Sequence, residues 1–393
     1  MSKYEQPFSI KILDSNYNLV TLASYESLQW DREYNQVGKF VVSGVRGDYN
    51  RATWKYVYTE NRKELGIISQ VNWKKNGTKQ ILTLSGLFAE AELNKMVCYA
   101  KPTKFDDDSG THPGTSILST GSPTWITQDG TADVVARNFF DGFKQINFRN
   151  YLVGNFDGSI LVTKSFTLPI SFGTIASGTY KRAIHNRNNE YLGNKLYDIL
   201  KESYASIEIE FDYVNRTKTL NIIHGIDRTQ GGHAYGVNPI LLSSRNGSIK
   251  SASIVTSNTD TKDVVLQYSE DDDQTLILVN ALGNSIGRFE SMQMNAKQSD
   301  FDTDKAHKLS VMADASETLN EKKDKLNIQF DFVNSSYRYM EDFDLGDIIS
   351  IDIPEIDVSI DAQIVSCHES IKSGVWNLNI EVGSSILRKR GRF

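Results

Sequence analysis

The sequence predicts a mainly β protein assembled from several domains, and three observations carry that expectation. Strand-forming residues are abundant: the 393 residues include 18 Tyr and 18 Phe, with many Val, Ile and Thr, against 7 Pro. Apolar and polar residues alternate over long stretches at both ends of the chain. The third observation is an internal echo between residues 56–86 and 351–383. Each stretch opens with alternating strand residues (Tyr56, Tyr58; Ile351, Ile353) and continues as Gly66-Ile67-Ile68-Ser69-Gln70-Val71 or Ala362-Gln363-Ile364-Val365-Ser366-Cys367. A turn around Gly77 or Gly374 follows, then Ile81-Leu82-Thr83-Leu84-Ser85-Gly86 or Leu378-Asn379-Ile380-Glu381-Val382-Gly383. Gly66 to Gly86 spans 20 residues and Ala362 to Gly383 spans 21, so Ile68 is expected to match Ile364, and Leu84 to match Ile380. Two similar β units in one chain would offer two equivalent edges to a partner.

The first unit begins with Phe8, Ile10 and Ile12, then Leu28 and Trp30, then Phe40 and Val42, three alternating runs separated by the turns Asp14-Ser15-Asn16 and Gln36-Val37-Gly38. A short helix over 87–97 is expected to close it. Residues 101–130 carry loop signals, Asp106-Asp107-Asp108-Ser109-Gly110 and Gly121-Ser122-Pro123. A helix capped by Thr131 follows, with Val135, Phe139 and Phe143 on one face. A second helix over 191–204 has the stripe Leu192, Leu196, Ile199 and Leu200. It leads into a hairpin with Ile207, Ile209, Phe211 and Tyr213 on one strand, the turn Asn215-Arg216-Thr217, and Leu220 and Ile222 returning.

Strands are expected over 249–255 and 264–268, with Glu270-Asp271-Asp272-Asp273 as an acidic hairpin tip before a strand over 276–279. A long helix over 304–323, capped by Asp302 and buried along Ala306, Leu309, Ala313 and Leu319, precedes the alternating Leu326, Ile328, Phe330 and Phe332. The length exceeds one core, and the expected division is four domains: 1–95, a small antiparallel β-barrel; 96–205, loops and helices; 206–324, α+β; and 325–393, a second, similar barrel.

Composition narrows the function. A net charge of −6 argues against tight nucleic-acid binding, which needs a basic surface. The start of the chain, residues 1–7, lacks the apolar core of a secretory signal, and no run approaches the ~18 apolar residues of a membrane span. A protein made in the cytoplasm without membrane insertion is expected, and the Asn-x-Ser/Thr sequons at Asn76, Asn215, Asn246 and Asn334 read as turns. Cys98 and Cys367 fit no metal spacing and are expected to be reduced and buried. No G-x-S-x-G, HExxH or P-loop occurs. His112 beside Asp106, Asp107 and Asp108 reads as a solvated loop tip, and His224 and His233 as structural residues around a Gly-rich turn. The basic tail Arg388-Lys389-Arg390-Gly391-Arg392 reads as a frayed end. No catalytic, cofactor-binding or metal-ligating residue is assigned, and no cofactor is expected.

Three stretches carry a resemblance to a known family. They are Tyr25-Glu26-Ser27-Leu28-Gln29-Trp30 with Gly38-Lys39-Phe40-Val41-Val42; Glu64-Leu65-Gly66-Ile67-Ile68 through Leu84-Ser85-Gly86-Leu87; and Asp342-Phe343-Asp344-Leu345-Gly346-Asp347-Ile348-Ile349 with the strand pair ending at Gly383. In pattern and order, over about residues 10–385, the chain resembles the tail-hub and baseplate-hub proteins of long-tailed bacteriophages, including the N-terminal regions of tail-associated lysins. The resemblance implies a homotrimeric virion protein at the tail tip. Two barrels per subunit would present six near-equivalent surfaces to a sixfold tail tube or distal tail ring protein. It further implies a tape measure protein and DNA passing through the channel without specific binding, and a receptor-binding or fibre protein below. Lytic activity is not expected to carry over, because the sequence stops at Phe393, soon after the second barrel, whereas the lysin-bearing members continue into a fibrous region and a wall-degrading domain. Two rival readings remain: a phage-borne hydrolase of cell wall or polysaccharide using two carboxylates, and a carbohydrate- or receptor-binding module using some of the 18 Tyr and 5 Trp. If DNA slides through a ring, an acidic lumen is expected, drawing on Glu208, Glu210, Asp344 and Asp347.

Overall fold

The structure, a computed structural model, describes residues 8–389 except 47–48, 77–78, 99–103, 106–114, 117–126, 153–160, 176–179, 186–189, 202, 234–235, 258–261, 263, 269, 272–273, 276–277, 282–289, 295–297, 302, 323–324 and 334–336. His112, Asp106, Asp107 and Asp108 fall outside the described residues, as do the helix cap expected at Asp302 and the tip residues Asp272 and Asp273.

The chain is mainly β, and its largest element is a 13-stranded sheet. Seven strands come from the first part: β1 (Ile10–Leu13), β2 (Leu19–Ala23), β3 (Ser27–Glu33), β4 (Lys39–Val45), β5 (Tyr56–Tyr58), β6 (Gly66–Asn76) and β7 (Lys79–Phe88). Six come from the later part: β8 (Leu241–Ser243), β9 (Ile249–Ser257), β10 (Lys325–Phe332), β11 (Ile348–Ile353), β12 (Val358–Lys372) and β13 (Val375–Lys389). The first group is ordered β2-β1-β5-β6-β7-β4-β3 and the second β8-β11-β12-β13-β10-β9. From β1 to β3 and from β8 to β9 the two orders are the same. Five strands also follow the same chain order, β3 to β7 matching β9 to β13, but residues 258–324 lie between β9 and β10 where a short turn joins β3 to β4. One pairing differs: β1 runs antiparallel to β5, whereas β8 runs parallel to β11.

The two central hairpins repeat to the residue. In the first, Ile68 faces Gly86, a bulge follows, and Val71 then faces Leu84. In the second, Ile364 faces Val382, a bulge follows, and Cys367 faces Ile380. The expected matches Ile68 with Ile364 and Leu84 with Ile380 therefore hold in hydrogen-bond register. The glycines do not correspond: Gly86 is the counterpart of Val382, one position from the expected Gly383. Glycine at 86 has a local cause, since a Cβ there would sit 1.8 Å from the Ile67 carbonyl oxygen.

Each group encloses its own apolar core, as alternation requires. In the first, the rings of Trp30 and Phe88 lie 4.7 Å apart, with Phe40, Val42 and Leu84 around them, all at most 2 % exposed. In the second, Phe330, Ile349, Ile351, Ile364 and Ile380 are equally buried. Removing each such side chain from water contributes about 1.5–3 kcal/mol.

In the chain, α1 (Ala132–Phe143) and α2 (Leu192–Lys201) come between the two groups and share a core with Leu13, Tyr58 and Leu65 of the first. Val135, Phe139 and Phe143, and Leu192, Leu196, Ile199 and Leu200, are buried as their spacing requires. Thr131 occupies the N-cap position of α1 without a side-chain cap bond. The 87–97 helix is confined to a 3-10 turn, Ala89–Lys95, because β7 continues to Phe88. The hairpin Ala205–Asp212 with Thr217–His224 forms in the expected register and shares a core with α1 and α2. A small sheet (Val264–Tyr268, Leu278–Ala281, Glu290–Met294) is covered by α3 (Asp304–Lys322), where Ala315 and Leu319 meet Val265. The Thr303 hydroxyl accepts from Ala306 N at the start of α3. Thus 205–224 packs with the helices that precede it, and β8 and β9 belong to the final sheet, so contacts cross both the 205/206 and the 324/325 divisions.

Candidate functional site at the joint between the two sheets

β3, the edge of the first group, adds itself to β12, the long hairpin strand of the second. The pairing is antiparallel and unbroken, from Ser366 opposite Glu33 to Lys372 opposite Ser27. Alternation turns Leu28, Trp30 and Arg32 inward on β3, facing Ile371, Glu369 and Cys367. The joint therefore buries two opposite charges, Arg32 at 3 % exposure and Glu369 at 1 %.

Both are neutralised by one short loop between β5 and β6. The Arg62 guanidinium donates from Nε to Glu369 Oε1 (2.8 Å) and from Nη2 to Glu369 Oε2, and it lies 4.5 Å from the Phe8 ring centre. Two residues on, Glu64 Oε1 accepts from Arg32 Nε (2.6 Å) and Glu64 Oε2 from Trp30 Nε1 (3.3 Å). Trp376 Nε1 completes the Glu369 carboxylate at 3.0 Å. Charges this deep are tolerated only when paired and hydrogen-bonded.

Arg32 also ties in the rest of the molecule. Its Nη1 donates to Asp344 Oδ1 (2.5 Å) and to the Tyr339 hydroxyl (2.8 Å), and Nη2 lies 3.8 Å from Glu208 on the 205–212 strand. Burial opposes the Arg32 charge, but the carboxylates of Asp344 and Glu64 outweigh it and hold the guanidinium protonated well above its ordinary range. Asp347, three residues beyond Asp344, accepts from Arg228 Nε (2.6 Å) and Ile226 N (2.8 Å). Between them Gly346 has φ +92°, and its Cα faces the Tyr34 ring. The Asp344-Leu345-Gly346-Asp347 segment is thus a clamp holding β3 and residues 226–228 to the second sheet.

Glu208, Glu210, Asp344 and Asp347 were expected on an open channel wall, and the geometry corrects this for Glu208 and Asp347, which are buried. Glu208 is buried beside Lys63 (3.2 Å) and Arg32; Asp344 is bonded to Arg32; Asp347 is buried against Arg228. Burial pulls Glu208 and Asp347 above the usual carboxylate range despite these partners. Glu210 alone of the four is exposed.

Beside the joint, Arg32, Glu64, Glu90, Tyr197 and Glu208 line a cavity of about 30 Å³. Glu90 Oε1 accepts from Ile209 N (2.8 Å), and burial pushes its carboxyl up to about 7. The carboxylates are near one another, but the space suits a water rather than a sugar ring. Among the described residues no group of three His, Cys, Asp or Glu could hold a metal ion. Cys98 and Cys367 are buried free thiols, and burial raises Cys98 to about 12 and Cys367 further. His224 Nε2 lies 2.9 Å from Asp133 Oδ2, and His233 Nδ1 lies 3.2 Å from the Thr229 carbonyl. No described helix is long and apolar enough to cross a membrane.

The ion pairs of the joint were not assigned from sequence. The available signal was the phase of β3: in Leu28-Gln29-Trp30-Asp31-Arg32, Arg32 takes an inward position, where a charge requires a partner.

Solved phage tail proteins share this fold. Solved structures with the same fold include the tail protein from Neisseria meningitidis MC58 (TM-score 0.55, 11% identity, covering 96% of this chain and 96% of that one). The prophage tail protein gp18 from Listeria monocytogenes EGD-e is similar at TM-score 0.54 and 11% identity, covering 95% of this chain and 94% of that one. The 43 kDa tail protein of prophage MuSo2 from Shewanella oneidensis gives 0.53 and 10%, covering 95% and 97%. Within that class, the chain belongs to the Siphovirus ReqiPepy6 Gp37-like protein family, whose model matches residues 175–384. No curated protein sequence matches it.

Proposed function

We propose that the protein is a structural hub at the tip of a bacteriophage tail, where three copies form a ring that meets the sixfold tail tube or distal tail ring protein. The observation that supports this reading is the internal repeat: one chain carries two sheets with the same strand order and the same bulged hairpin. Three copies then present six similar faces, which is what a threefold body needs to seat on a sixfold one. Each sheet group would curl into a tube-type barrel, with the α/β layers between narrowing the channel. The ring would close the channel before infection and open for the tape measure protein and DNA, with a fibre or receptor-binding protein below. A net charge of −6 suits DNA that slides without binding.

The role is mechanical, and no catalytic residue is assigned. Mass measurement in solution combined with electron microscopy tests it. A threefold ring with a central hole is expected. A strict monomer at high concentration, without assembly on tail components, would sink the reading. Clearing of host cell walls in zymography would instead favour the hydrolase, and saturable binding to host cells the receptor-binding module.

A further inference from the structure

Among the open strand edges of the large sheet, two belong to β6 and β9. β6 pairs with β5 only at Gly66 and Ile67, so from Gln70 onward it is bonded on one side, to β7. β9 pairs with β10 alone. Both edges carry large apolar side chains in solvent, Trp73 at 57 % exposure and Val255 at 63 %. An open edge of this kind is a template for another strand unless charge, proline or a covering element blocks it. β9 contains no proline and a single charged residue, Lys250.

The internal repeat identifies which strand each edge matches. β12 is the counterpart of β6, with Ser366 matching Gln70 and Glu369 matching Trp73. β9 is the counterpart of β3: Trp30 faces Phe40, which faces Gly86, while Ile254 faces Ile328, which faces Val382. Ile254 therefore matches Trp30, and Ser253 matches Gln29. Within the chain the β3 edge is added to the second half of β12. The β6 and β9 edges are thus the counterparts of these two joined strands in the opposite groups, and within one chain they are not joined.

We propose that β9 of one copy adds to β6 of the next, antiparallel and in the register of the internal joint, so that every contact around the ring is the same strand addition. Transferring the register sets Trp73 opposite Ile254, Lys74 opposite Ser253 and Asn72 opposite Val255. Trp73 takes the position that Glu369 holds internally. The buried Arg62–Glu369 pair of the internal joint is then replaced by an apolar Trp73–Ile254 contact in the joint between copies. The inference rests on the ring reading and names its interface.

The test is disulfide trapping in the full chain. Lys74→Cys with Ser253→Cys is expected to give cross-linked dimers and trimers under mild oxidation, since facing Cβ atoms in a sheet lie within bridging distance. Either single variant should give none, and Lys74→Cys with Ser251→Cys, two residues out of register, at most about a tenth as much. Cys98 and Cys367 are buried and give little background. A second variant, Val255→Lys, is expected to weaken association at least about tenfold while the melting temperature of the subunit holds, because the side chain is exposed. A trimer that neither cross-links in register nor responds to Val255→Lys overturns this interface and leaves the ring standing. A wild-type monomer overturns both.

Discussion

Trp30 and Glu369 face each other across the strand pair that joins the two sheets, and neither one's side-chain partner is the other. The indole donates to Glu64, the carboxylate binds Arg62 and Trp376, and Arg62 and Glu64 are two residues apart on one loop. The joint is thus locked by a loop that lies between β5 and β6, outside the strands that pair. Sliding β3 and that loop against β12 would part Glu369 from Arg62 and Arg32 from Asp344 together.

Breaking one side of this arrangement should be worse than removing both. Arg62→Met is expected to destabilise the fold by about 3–5 kcal/mol, because Glu369 is left charged and buried. Arg62→Met with Glu369→Leu should recover most of the loss, since the pair's attraction largely offsets its own desolvation. Denaturant unfolding of the two single variants and the double variant measures this. Equal losses in all three would contradict it.

Stability should fall as pH rises because of Glu90. Its folded pKa of about 7 lies above the ordinary value of 4.5, so the stability it contributes is complete below about 4.5 and is lost as pH rises through 7. The shift corresponds to roughly 3 kcal/mol. Glu90→Gln keeps an acceptor for Ile209 N without the charge and should flatten the profile between pH 5 and 8. Parallel profiles for the two proteins would show that Glu90 does not titrate there.

His368 acts in the same direction at the joint itself. Its hydrogen bond to Asp31 (3.2 Å), directly opposite on β3, raises its pKa above 6.5. The stabilisation is present below about 6.5 and lost above the raised value. In Asp31→Asn the histidine pKa, followed by NMR titration, should drop back toward 6.5. An unchanged titration would show that the pairing is not formed in solution.

Gly346→Ala should loosen the clamp. A Cβ at φ +92° is strained and would come within 2.3 Å of the Tyr34 ring, so a loss of more than about 2 kcal/mol is expected. Hydrogen exchange should rise at 226–228 and along β3 before it rises in the cores. Uniform exchange across the molecule would instead indicate that the three parts open as one.

By itself, the sequence determined the strands, the helices and the repeat. Alternation placed Leu28, Trp30, Phe40 and Val42 inward, four-residue spacing placed Val135, Phe139 and Phe143 on one face, and the echo matched Ile68 with Ile364. These are local periodicities fixed by backbone geometry. Only the tertiary structure decided that β9, 68 residues before β10, completes the second sheet, because nothing local tells a strand which distant edge it will meet. It also decided that Glu208 and Asp347 are buried and that Asp344 is half-buried against Arg32. Their strands and loops give them polar positions, but Arg32 and Arg228 arrive from elsewhere in the chain, and a carboxylate enters the interior only where such a partner meets it.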